Sequence, residues 1–96
     1  MLTSKQRAYL RKQANPITAI MQIGKQGAAK ELCAAIEEAL EARELIKVSV
    51  LNNCETPARE LAEEIVRQTR AECVQVIGKK IVLYRRSAAN PVIELP

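Results

Sequence analysis

The chain of 96 residues has no histidine, no aspartate, no phenylalanine and no tryptophan. Without His or Asp, only Glu, Lys, Tyr and Cys remain as acid, base or nucleophile, and no triad or close carboxylate pair can be assembled from them. A non-catalytic protein is expected. Cys33, Cys54 and Cys73 are odd in number, far apart and never in a C-x-x-C pair. Three thiols with no imidazole argue against a zinc site, and no cofactor is implied. Cys33 and Cys73 stand where small apolar residues would pack and read as reduced core thiols, whereas Cys54, between Asn53 and Glu55, reads as the accessible one. With the polar start Met1 to Arg7 and no long apolar run, this predicts a cytoplasmic protein with no signal peptide or membrane span. Tyr9 and Tyr84 are the only aromatics. That excludes an RNA-recognition-motif platform or an aromatic-rich oligonucleotide barrel, which hold bases by stacking, and leaves recognition through backbone and shape.

Glycine is scarce too, and two of the three stand in one short stretch, Ile23-Gly24-Lys25-Gln26-Gly27-Ala28-Ala29-Lys30. An apolar run ends in a Gly-x-x-Gly loop and a helix-forming run follows directly. Positive φ is expected at both glycines, leaving backbone N–H groups unobstructed, and the next helix directs its own N–H groups and positive dipole end to the same place. Lys25 and Lys30 add charge, so the expected ligand is an anion. The third glycine of a dinucleotide motif is absent, as are the spacing and terminal Ser/Thr of a P-loop, so a mononucleotide is poorly supported.

Acidic residues are missing from one part of the chain altogether. Residues 1 to 30 carry six Lys/Arg and no acid, 31 to 64 carry three against nine, and 65 to 96 carry six against two, for a net charge of +4. Segregation on this scale predicts one basic and one acidic side, which suits a polyanion better than uniform basicity would.

Ninety-six residues support one domain, 1 to 96, with a single core. Thr3 and Gln6 form a capping-box pattern ahead of a helix over Ser4 to Ala14, which has Tyr9, Leu10 and Ala14 on one side and Lys5, Arg7, Arg11 and Lys12 on the other arc. Thr18 to Ile23 reads as a strand. Leu32, Cys33, Ile36 and Leu40 recur at helical spacing within Ala29 to Arg43, whose outer positions Glu37, Glu38 and Glu41 are acidic. Leu45 to Leu51 alternates as a strand covered on one face. Thr56 is expected to cap a third helix with Pro57 at its first position and Leu61, Ala62, Ile65, Val66 and Thr69 as its core stripe. Cys73 to Ile77 and Lys80 to Arg85 read as a hairpin around Gly78-Lys79, and Val92 to Leu95 as a possible edge segment. The order α-β-α-β-α-β-β predicts an α+β two-layer sandwich with a four-stranded mixed sheet, in which the strands joined through the second and third helices run parallel and the last pair antiparallel. Periodicity leaves open which face of the sheet the first helix covers.

The candidate binding set is therefore Gly24, Lys25, Gln26, Gly27 and Lys30, extended by Lys5, Arg7, Arg11 and Lys12 and by Lys79, Lys80, Arg85 and Arg86. The sequence does not place the hairpin cluster relative to the glycine loop. Two other readings compete: a protein-interaction module using the acidic helix faces, and a general nucleic-acid binder.

Seven blocks together resemble a known family. They are Leu2 to Arg7 with Tyr9-Leu10, Asn15-Pro16, Ile23 to Gly27, Glu44 to Val48, Val74 to Lys79, Val82 to Arg85, and Ile93 to Pro96. Over essentially its full length the chain resembles a stand-alone bacterial CRM (chloroplast RNA splicing and ribosome maturation) domain of the YhbY type. That resemblance implies a fold similar to the C-terminal domain of translation initiation factor three, and a Gly-x-x-Gly loop analogous to that of KH domains. It also implies RNA as partner, specifically large-subunit ribosomal RNA and pre-50S particles during ribosome biogenesis; the protein itself is expected to be a monomer.

Overall fold

A computed structural model describes residues 2–96. Its elements run α1 (Ser4–Ala14), β1 (Met21–Ile23), α2 (Lys30–Arg43), β2 (Leu45–Val50), α3 (Ala58–Thr69), β3 (Glu72–Ile77) and β4 (Lys80–Tyr84). The capping box forms as the sequence suggests. Thr3 Oγ1 accepts from the Gln6 amide at 3.1 Å, and Gln6 Oε1 accepts from the Thr3 amide at 3.0 Å.

The sheet order is β1-β2-β4-β3. β1 and β2 are parallel neighbours, while β4 inserts between β2 and β3 and pairs antiparallel with both. β2 and β3 thus run parallel, as a helical crossover requires, without touching. Alternation along the strands separates two cores. Ile46, Val48, Ile81 and Leu83 pack with Ile36 and Leu40 of α2 and Leu61 and Ile65 of α3. Leu45, Val82, Tyr84 and Val74 pack on the other face against Leu10 and Ala14 of α1. The layer of paired helices on a mixed sheet is present, and α1 adds a partial third layer on the second face.

Several local expectations need correction. The first strand is shorter than Thr18 to Ile23, although the Ile20 amide already bonds the Lys47 carbonyl at 2.9 Å. Thr56 does not cap α3: Pro57, with ψ 147°, holds the cap position, no side chain caps the helix, and α3 starts at Ala58. Cys54 is buried and its thiol donates to the Thr56 carbonyl at 3.6 Å, so it is no accessible thiol. β2 stops at Val50 and β4 at Tyr84, one residue short of each expectation. β3 starts one residue early, at Glu72, and carries a bulge between Cys73 and Gln75.

Val92 to Leu95 adds no strand. The tail is held by two carboxylates at the C-terminal end of α2. Glu44, fully buried and at φ 66°, accepts from the amides of Ser87 (2.7 Å), Val92 (2.7 Å) and Ile93 (2.8 Å). Glu41 accepts from the Ser87 hydroxyl (2.8 Å) and the amides of Ala88 (3.0 Å) and Ala89 (2.9 Å). The Ala88 and Ala89 amides, then the Ser87 hydroxyl, pull the Glu41 pKa from its ordinary 4.5 to about 2. For Glu44, burial pushes upward as the largest single influence, but the three amides and the nearby Arg86 together outweigh it and the pKa falls. A carboxylate depressed on folding contributes stability above its unfolded value and loses it as pH falls through the folded one. The tail is therefore expected to loosen as pH drops from about 4.5 toward 2. Amide resonances of Ala88 and Ala89 followed through an acid titration check this, and signals that stay put down to pH 2 would refute it.

Candidate nucleic-acid interface

The glycine loop is a closed turn, in which the Gly27 amide donates to the Gly24 carbonyl at 3.0 Å. Positive φ is confined to Gly27 (61°), where an L side chain is strained; Gly24 does not require it. A Cβ at Gly24 would meet Asn53 Oδ1 at 3.5 Å and Leu51 Cδ1 at 3.6 Å, ordinary contact distances. Lys25 and Gln26 are exposed at the tip, and the loop borders a hollow of about 260 Å³ lined also by Gln22, Ala29, Glu31 and Leu32.

Two helix N-termini meet this loop. α2 starts three residues after Gly27, capped by the backbone of Ala29 and by no side chain. α3 arrives through the core: a Cβ on Gly27 would lie 3.6 Å from Leu61 Cδ2 and 3.9 Å from Thr56 Oγ1. α3 also lacks a side-chain cap, whereas α1 has a complete capping box. First-turn N–H groups of both helices are thus left for solvent or an anion, and both dipoles present their positive ends. Among the described residues, Glu31 in the first turn of α2 is the one carboxylate lining the hollow.

Sheet register answers what the sequence left open about the hairpin. β1, β2 and β3 end where β4 begins, so the Gly24–Gly27 loop, Leu51 to Asn53 and the Gly78-Lys79 turn share one end of the sheet. The Leu51 amide bonds the Ile23 carbonyl at 2.8 Å, and the Val50 amide bonds the Lys79 carbonyl at 2.7 Å. Lys25, Lys79 and Lys80 are exposed there. Gly78, at φ 54°, supplies the positive φ the two-residue turn needs.

The other basic candidates are distributed differently. Arg85 and Arg86 follow the far end of β4. Arg85 donates to the Thr69 carbonyl at 3.1 Å and pairs with Glu41 at 3.8 Å, while Arg86 is exposed beside the tail. Arg7 donates to the carbonyls of Cys73 and Val74, bracing the bulge on the edge strand β3. Lys5, Arg11 and Lys12 are exposed on α1, which covers the face opposite α2. Lys30 is exposed at the start of α2.

This architecture can be set beside known proteins. The CRS1/YhbY (CRM) domain description matches residues 2–85. The chain belongs to this family. The CRM relatives include "Probable RNA-binding protein YqeI" of Bacillus subtilis, 52% identical over the full length of both chains. An "RNA-binding protein" of Haemophilus influenzae is 37% identical over 99% of this chain and 95% of its own. The solution structure of hypothetical protein SAV1595 from Staphylococcus aureus, described as a candidate RNA-binding protein, superposes with a TM-score of 0.84 at 52% identity, each chain wholly covered. The CRM match stops at Arg85, so most of the clamped tail lies beyond it but within the alignments to YqeI and SAV1595.

Proposed function

We propose that this CRM-domain protein binds structured RNA without transforming it, and that its binding site is the sheet end built around Gly24 to Gly27. The observation that carries this reading is the meeting of two helix N-termini, neither capped by a side chain, at a glycine turn that carries Lys25 and shares its end of the sheet with Lys79 and Lys80. Such a site grips phosphate by backbone N–H groups and dipoles and neutralises it with ammonium groups, a contact that positions the RNA without reading its sequence. The names of the relatives support RNA as the ligand. The family resemblance extends the proposal to large-subunit ribosomal RNA and its assembly precursors, bound by a monomer in the cytoplasm. The rival use of the acidic α2 face as a partner-docking surface is weakened because Glu41 and Glu44 are already occupied by the chain's own tail.

Titrating a large-subunit ribosomal RNA fragment across a salt series tests this. Lys25→Glu is expected to weaken binding of all RNAs alike, and to flatten the slope of log affinity against log salt by roughly 0.7–0.9, the value of one lost phosphate contact. An unchanged slope moves the site elsewhere on the molecule.

A further inference from the structure

The register places four residues in one row across all four strands at the loop end of the sheet. Gln22 pairs with Ser49, Ser49 with Lys80, and Lys80 with Ile77. Their strand neighbours Ile23, Val48, Val50, Ile81 and Val76 pack toward α2 and α3, so by alternation this row faces the opposite side, the one α1 covers farther along the strands. The cover stops short of it. Val82, two residues along β4, is buried beneath α1, but Gln22 and Lys80 are exposed and Ile77 is 57% exposed. The side chains of Gln22, Ser49 and Lys80 hydrogen-bond no described residue. Gln22, Ser49 and Lys80 border a hollow of about 520 Å³, and Gln22 also borders the hollow of the glycine loop.

We infer that the row Gln22–Ser49–Lys80–Ile77 is a base-contacting extension of the phosphate site, occupied by a single-stranded RNA segment that leaves the Gly24–Gly27 loop and crosses the end of the sheet. This rests on the RNA-binding reading above and adds to it the form of the ligand and the residues that select it. The occupant follows from continuity and chemistry. The row joins the loop hollow at Gln22, contains no carboxylate, and contributes an ammonium beside an amide and a hydroxyl that both donate and accept. Amide and hydroxyl groups match the Watson–Crick base edges that an RNA strand leaves free only where it is unpaired, and its 2′-hydroxyls beside them, while Ile77 offers an apolar surface to a ring or sugar. Strand spacing makes the row about 14 Å long, so it extends well past a single phosphate contact.

Fluorescence anisotropy with twelve-nucleotide rA, rU and rC oligomers tests the assignment on wild type, Gln22→Ala/Ser49→Ala and Lys25→Glu. Wild type is expected to spread its affinities for the three oligomers by about tenfold, the scale of one base-directed hydrogen-bonding pair. The double variant should bind all three within about twofold of one another, and Lys25→Glu should weaken all three while keeping the spread. Circular dichroism verifies that the exposed or half-exposed substitutions preserve the fold. Retention of the full spread by the double variant overturns this inference alone and leaves the row to a protein partner or to solvent. Failure of the wild type to bind any oligomer or the ribosomal fragment overturns both this inference and the RNA-binding reading.

Discussion

Glu44→Gln is expected to cost about 2–4 kcal/mol of folding stability, because the wild-type carboxylate accepts three amides in a fully buried site. Glutamine has the same shape but only one oxygen. Its NH₂ must face either the Ser87 amide or the amides of Val92 and Ile93, which leaves donor against donor in the interior. For a domain of this size the loss corresponds to a fall in Tm of roughly 10 °C or more. Thermal unfolding measures it, and amide exchange at Val92 and Ile93 should rise in parallel as the tail detaches. A Tm within about two degrees of wild type would mean that the tail is not clamped as described. The wider consequence is a division within α2: its N-terminus is turned toward the loop while its C-terminus closes the molecule.

Reversing Lys25, Lys79 and Lys80 together to Glu is expected to abolish RNA binding at moderate salt, since three contacts at one end of the sheet contribute roughly 2–3 to the salt slope. Arg86→Gln, at the other end of β4, removes a charge without setting a carboxylate beside Glu44 and should leave binding within about threefold of wild type. The comparison is informative because four residues, Ile81 to Tyr84, lie between the two basic pairs, and β4 spans about 13 Å from Lys80 to Tyr84. Filter binding or anisotropy with the ribosomal fragment decides it. Equal losses from both variants would mean diffuse attraction to a basic molecule, and a loss confined to Arg86→Gln would transfer the site to the tail end. Arg85 and Arg7 are unsuitable for this comparison, because both donate to backbone carbonyls and their loss would confound binding with folding.

The features legible in the sequence are those whose cause lies within a few residues. Thr3 and Gln6 make their capping box from local geometry alone. Gly78 is required by a two-residue turn between two β-rich runs. The α2 and α3 stripes reflect helical periodicity, and the chain's membership of the CRM family follows from its ordered blocks. Errors arose where a local signal had two solutions. Thr56-Pro57 suits a threonine cap with proline at the first helical position, but the chain uses Pro57 as the cap residue and sets the Thr56 hydroxyl near Gly27. Cys54, flanked by Asn53 and Glu55, has polar neighbours in sequence and buried ones in space.

Glu44 shows the boundary most plainly. In the sequence it is one more acid at the end of an acidic helix, and nothing within several residues indicates burial. Its partners are 43 to 49 positions away. The same holds for the row Gln22–Ser49–Lys80–Ile77, whose members come from four separate strands. The sequence by itself determined the elements, the segregation of charge and the glycine turn ahead of α2, because each depends on neighbouring residues or on composition. Only the tertiary structure decided that the Lys79 turn joins the loop, that Arg7 and Arg85 brace the fold, and that α1 leaves the end of the sheet open. Those outcomes depend on strand order and register, which are settled by the burial of two hydrophobic faces at once and by no local segment of the chain.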